Sequence, residues 1–255
     1  MDDALRQALA ARLLALADDE LILGHRNSEW CGHAPILEED IAFANIALDE
    51  IGHASIWYTM LAQLLGEDET AFPDRLAFHR DPNGFCCVQM VTLPIGDWAF
   101  SMTRQYLFDA YEVELLDRLT ASQYEPFRDA AAKLRKEEAY HLRHTSAWVT
   151  RLGLGTEESG RRMQAALESL WSYAQQLFIP VEGQEQLAQA RYFPDLERLR
   201  SSWVDRVATH LTEAGLSIPA DDGVPPTSRS DHSEHLVELL GEMQKVARLD
   251  PEAEW

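Results

Sequence analysis

Apolar residues recur at three- and four-residue spacing almost from the N-terminus. Leu13, Leu16, Ala17, Leu21 and Gly24 fall on one face of a helix predicted over about 4–28. The run from Trp30 to Pro35 breaks that period. A second stripe, Ile46, Ala47, Ala54, Trp57 and Leu61, predicts a helix over about 38–65. Glu38, Glu39 and Asp40 open it with the negative charge that a helix N-terminus favours. From 66 to 95 the pattern loosens around Phe72-Pro73, Asp81-Pro82-Asn83-Gly84 and Leu93-Pro94, which reads as a long crossover with a short helix inside. Long helices follow over about 97–119 and 126–152. Pro126 suits a first turn, where its missing N–H would have no helical partner anyway. Shorter helices are predicted over about 157–178, 194–214 and 231–248, with Pro219 to Ser230 as the one obvious loop.

No segment alternates as a strand should, so the fold class is all-α. Two short turns and one long connection among four long helices predict a ferritin-like four-helix bundle with its crossover between helices 2 and 3. The expectation is a single domain over 1–255, with a core bundle at about 4–152 and outer helices at about 157–248 packed against it.

Charge narrows the function. With 43 acidic and 22 basic residues the 255-residue chain carries a formal charge of -21, which disfavours a phosphate backbone or an anionic membrane as partner. Its densest basic groups are only Lys133, Arg135 and Lys136, then Arg161 and Arg162. Cys31, Cys86 and Cys87 make no disulfide framework and no C-x-x-C pair. An acidic start and the lack of any long apolar run predict a cytoplasmic protein.

The candidate chemistry lies in acids and histidines. Glu-Ile-Gly-His occupies 50–53 and Glu-Ala-Tyr-His occupies 138–141; with 24 Glu and 9 His, chance alone gives about one such spacing. Geometry adds weight. In an antiparallel hairpin, residues equidistant from the turn lie level, and Glu20 pairs in this way with Glu50 across Gly32 to Pro35. Glu112 pairs likewise with Glu138 across Tyr124 to Pro126. One Glu from each of two helices and Glu-x-x-His from the other two is the set that holds two metal ions in a bundle core. Glu20, Glu50, His53, Glu112, Glu138 and His141 are therefore the candidate ligands of a di-iron or di-manganese centre. Asp49, Asp109 and Glu137 stand beside them, and a modest helix rotation exchanges one for another. The competing reading is a metal-free polar core, with Lys133, Arg135 or Lys136 pairing with the acids.

Other groups carry weaker signals. His25 and His33 read as surface or interface packing, and His144 as a group behind the ligands or a satisfied core histidine. His232 and His235, with Glu238 and Glu242, read as docking groups or a further metal site. Trp171, Tyr173, Phe178, Tyr192, Phe193 and Trp203 read as packing or a subunit interface, and Cys86 and Cys87 as packing in the crossover.

Several runs resemble the PaaC-type subunits of bacterial phenylacetyl-CoA oxygenases (epoxidases). They are Ile22 to Cys31, His33-Ala34-Pro35, Glu38 to Asp49, Arg104 to Phe108, Tyr140 to His144 and Gly155 to Glu158. His232 to His235 and Gly241 to Gln244 complete them, so the likeness runs along nearly the whole chain. It implies a ferritin-like subunit that pairs with a homologous catalytic subunit. The complex it implies epoxidises the ring of phenylacetyl-CoA with dioxygen and electrons from a reductase, at the partner's di-iron centre. In that family the PaaC-type subunit is structural. This chain departs from the pattern by keeping all six ligand-type residues, which sets a metal-bearing, redox-active role beside the structural one. Iron storage is the third alternative.

Overall fold

The structure is a computed structural model, and it describes residues 1–220 and 228–250. Among the described residues there is no strand. The helices are α1 (Asp3–Ser28), α2 (Leu37–Leu65), α3 (Ala71–Phe78), α4 (Gln89–Thr92), α5 (Trp98–Leu119), α6 (Glu125–Gly153), α7 (Glu157–Ala174), α8 (Gln184–Gln189), α9 (Leu196–Glu213), α10 (Glu234–Met243) and α11 (Lys245–Leu249). The chain is all-α, and its order of hairpin, long connection and hairpin is that of a ferritin-like bundle.

Element by element the boundaries follow the periodicity closely. The crossover holds α3, a 3-10 turn at Pro82–Gly84 and α4 rather than one short helix. The helix expected to reach 178 stops at Ala174 and continues as a 3-10 turn, Gln175–Phe178. The last helix breaks at Gln244 into α10 and α11, and α8 lies outside the expected set. Positions 221–227 of the expected Pro219–Ser230 loop lie outside the described residues.

The chain divides into two compact units. The first holds Met1–Pro94, Val181–Gly183 and the described C-terminal residues 228–250; the second holds Ile95–Pro180 and the described residues 184–220.

In the first unit α1 and α2 form an antiparallel hairpin. Asp2 caps α1 by accepting the Leu5 N–H at 2.8 Å, and Arg6 Nη2 donates to Leu64 O at 2.7 Å where the two helices end together. Near the turn, the space for a Cβ on Gly24 is already taken by Ile51 Cγ1 at 2.9 Å, Ala47 O at 3.0 Å and Glu50 Cβ at 3.1 Å. Only glycine lets the helices approach this closely, and they do so beside Glu50. All of Ala15 to Gly24 is buried, so α1 is enclosed on every side rather than on one stripe.

In the second unit α5 and α6 form the corresponding hairpin, with α7 and α9 against α5. Asp97 caps α5 through the Phe100 N–H at 2.9 Å, and Thr156 with Ser159 makes a reciprocal capping pair at the start of α7. Trp203 of α9 is fully buried, donates its indole N–H to Leu107 O at 3.0 Å, and stacks on Trp171 at 5.4 Å. Phe178 meets both Trp203, at 5.3 Å, and Tyr111, at 5.6 Å. Trp171, Phe178, Phe193 and Trp203 are therefore core packing, while Tyr173 and Tyr192 are half-buried. The large apolar side chains left in solvent lie elsewhere, and Leu37, Ile41 and Leu48 of α2 are among the most exposed.

Candidate metal centre

Glu20, Glu50 and His53 come together inside the first unit. They are 1 %, 0 % and 2 % exposed, and one ligand atom from each lies within 4.8 Å of the other two. His53 Nδ1 stands 3.9 Å from Glu20 Oε2. Asp49, the neighbour that a helix rotation would have substituted, is only half-buried. Two carboxylates this close, shut away from water, repel one another and lose hydration unless a cation or protons compensate. Two carboxylate oxygens and one imidazole nitrogen form a donor set suited to a divalent transition ion such as iron or manganese. The residues present fit a metal.

Two further buried acids, Asp18 and Asp19, directly precede Glu20, and the protein meets their charge by other means. Asp18 accepts the Tyr58 hydroxyl, the Cys86 N–H at 2.7 Å and the Arg80 guanidinium, whose Nη1 lies 3.1 Å from Oδ2. Burial, then the Asp18 charge, pushes the Tyr58 hydroxyl well above its usual value, so Tyr58 is the donor. Asp19 accepts the Val88 N–H at 2.7 Å and Arg229 Nη1 at 2.8 Å. Arg80, Arg229 and the crossover amides thus neutralise Asp18 and Asp19, and the sequence pattern points to none of these partnerships. An arginine paired with an acid over such distances leaves no trace in local spacing.

In the second unit Glu138 and His141 are both fully buried on α6, with His141 Nδ1 3.2 Å from Glu138 Oε1. Glu137 is half-buried, so the inward member is again the one in the Glu-x-x-His spacing. Lys133, Arg135 and Lys136 are exposed, and Arg135 reaches Asp117 at 3.8 Å on the surface. Glu112 is 2 % exposed on α5, but among the described residues it joins no set of three ligand atoms within 4.8 Å. Asp109, one turn before it, accepts Gln105 Nε2 at 2.6 Å and the Thr145 hydroxyl at 2.6 Å. Thr145 Oγ1 also lies 3.0 Å from the carbonyl of His141. Asp109 is thus a buried acid tied to the turn of α6 that carries His141, a role the sequence does not disclose.

The remaining histidines do not gather into ligand sets among the described residues. His232 Nε2 donates to Phe85 O at 2.7 Å, His235 Nδ1 stands 3.7 Å from Glu238, and His144 stacks on Tyr140 at 6.3 Å. His33 is exposed, and burial lowers the pKa of half-buried His25. Cys87 is buried and Cys86 half-buried in the crossover; burial pushes the Cys86 thiol up to about 11.

The buried Glu-x-x-His pairs on α2 and α6 accompany a match over residues 1–255 to the family described as phenylacetic acid catabolic protein. The chain belongs to that family. It is 39 % identical over 248 residues to the C-type component of 1,2-phenylacetyl-CoA epoxidase from Escherichia coli (strain K12), covering 97 % of this chain and 99 % of that protein. It is 22 % identical over 227 residues to the A-type component of the same epoxidase, covering 87 % of this chain and 72 % of that protein. This member of the family is therefore homologous to the C-type component along its length and more distantly to the A-type one. None of its described helices is long and apolar enough to cross a membrane.

Proposed function

We propose that this chain is the C-type component of a phenylacetyl-CoA epoxidase in aerobic phenylacetate catabolism, supporting a homologous catalytic subunit that is served by a reductase. The end-to-end likeness to the E. coli protein carries this reading. The surface supports it as well. Leu37, Ile41 and Leu48 are 72 %, 57 % and 67 % exposed, and at about 100° per residue they fall within one narrow sector of α2. Ala44, Gly52 and Ser55 extend that sector without a charge. A stripe of this kind suits burial against a partner better than permanent exposure. Co-expression with an A-type homologue, followed by gel filtration, tests the assignment. A stable complex that Leu48→Asp dissociates is expected; two species eluting separately at about 1 μM overturn it.

A second reading is favoured by the Glu20, Glu50 and His53 cluster: this subunit holds metal itself. The proposed ligands are Glu20, Glu50 and His53 within the first unit, and Glu112, Glu138 and His141 are the candidates within the second. Glu112 enters on its burial and its place in the pattern. Iron bound there supplies the redox equivalents for dioxygen chemistry. The chain's own part is to hold carboxylate and imidazole donors in fixed rotamers and to keep bulk water from them. Metal analysis of the washed protein decides between the readings: two iron or manganese ions per chain support a metal-bearing subunit, and none leaves a structural one.

A further inference from the structure

The described C-terminal segment, residues 228–249, runs back over the crossover of the first unit and is held there by side chains that bond backbone. His232 binds Phe85 O, and Gln89 Nε2 donates to Asp231 O at 2.8 Å. Arg26 of α1 donates to Thr92 O at 2.8 Å and to His235 O at 3.1 Å. Gln244 Nε2 donates to Ala77 O and Arg80 O, each at 3.0 Å, and Arg248 Nη2 donates to Arg80 O at 2.9 Å. One contact of this strap is a buried ion pair, unlike the exposed pair of Arg248 with Asp81 at 3.4 Å. Arg229 is buried, with its side chain 5 % exposed, and forms an ion pair with Asp19, itself 2 % exposed. The same Nη1 also donates to Cys86 O at 3.2 Å.

Asp19 directly precedes Glu20. Successive helical residues point about 100° apart, so the rotation of α1 that keeps Asp19 on Arg229 is the rotation that keeps Glu20 beside Glu50 and His53. Without Arg229, Asp19 is a buried charge lacking its cation. Because α1 is enclosed on every side, the helix relieves it by shifting within its packing rather than by reaching solvent. That shift moves Glu20 relative to Glu50 and His53.

We propose that Arg229 is a positioning residue for the metal ligand Glu20, and that docking of the C-terminal strap and metal binding at Glu20, Glu50 and His53 are coupled. This rests on the reading that the cluster holds a metal. Coupling is reciprocal: whatever the strap contributes to metal affinity, bound metal returns to strap docking.

The experiment uses the full chain and cobalt(II) as probe, with affinity from equilibrium dialysis and geometry from the visible absorption bands. Arg229→Met is expected to weaken cobalt binding about 10–100-fold, the loss typical of removing a group that orients a ligand, and to shift the bands. Arg229→Lys restores part of both. Arg161→Met, an exposed arginine of α7 that touches neither the strap nor the cluster, leaves both unchanged. Because Arg229→Met is open to misfolding, trypsin cleavage after Arg229 is also timed in the unaltered chain, where saturating cobalt is expected to slow it. Cobalt binding by the unaltered chain with equal affinity in Arg229→Met, or equal cleavage with and without cobalt, overturns the coupling alone. No cobalt binding by the unaltered chain overturns the metal reading and the coupling with it.

Discussion

The α1–α2 and α5–α6 hairpins carry the same Glu-x-x-His spacing, yet they treat the neighbouring acids differently. On α1, Asp18 and Asp19 are met by two guanidiniums and two backbone amides brought in by the crossover and the C-terminal strap. On α5, Asp109 is met by neutral donors from its own hairpin, Gln105 and Thr145. The first hairpin therefore meets Asp18 and Asp19 with distant segments, whereas Gln105 and Thr145 reach Asp109 from within the second. A buried carboxylate is no ligand by itself; the partner that meets it decides between scaffold and site.

The comparison can be broken first at its strongest ion pair. Arg80→Met leaves Asp18 buried without its cation and is expected to cost about 3–5 kcal/mol in urea unfolding. A loss under about 1 kcal/mol would show that the Asp18 charge is met otherwise. Next in size, Glu50→Gln removes one carboxylate from the cluster. Metal affinity should fall about 100-fold or more, while the metal-free chain melts no lower than the original because a like-charge contact is relieved. Glu138→Gln applies the same measurement to the second hairpin. Gly24→Ala forces a Cβ against Ile51, Ala47 O and Glu50 and should cost about 1–3 kcal/mol together with weaker metal binding. Thr145→Val deletes one neutral donor to Asp109 and should cost about 1–2 kcal/mol, less than Arg80→Met. Smallest in energy is a reactivity contrast. With its thiol held up to about 11, Cys86 is barely ionised at pH 8 and gains thiolate only as pH rises toward that value. Iodoacetamide should label exposed Cys31 at pH 8 and leave Cys86 unmodified.

Much of this architecture is legible in the order of residues. Long helices announce themselves by period, and α1, α2, α5 and α6 fall within a residue or two of expectation. Glu50 and Glu138 stand out because hairpin symmetry and Glu-x-x-His spacing are local patterns that folding preserves. The partners of Asp18 and Asp19 do not, since Arg229 lies 210 positions from Asp19 and no period links them. Asp109 escapes for a related reason: on α5 both it and Glu112 face inward, and spacing cannot say which of the two meets Gln105 and Thr145. The short α8 has too few residues to show a period at all.

The most direct test is anomalous diffraction at the iron edge from crystals grown with ferrous iron. A peak bounded by Glu20 Oε, Glu50 Oε and His53 nitrogen is expected, with Asp18 and Asp19 still on Arg80 and Arg229. A fully folded chain with no peak there, its carboxylates met by protein groups alone, would contradict the metal assignment and leave this chain with a scaffold's role.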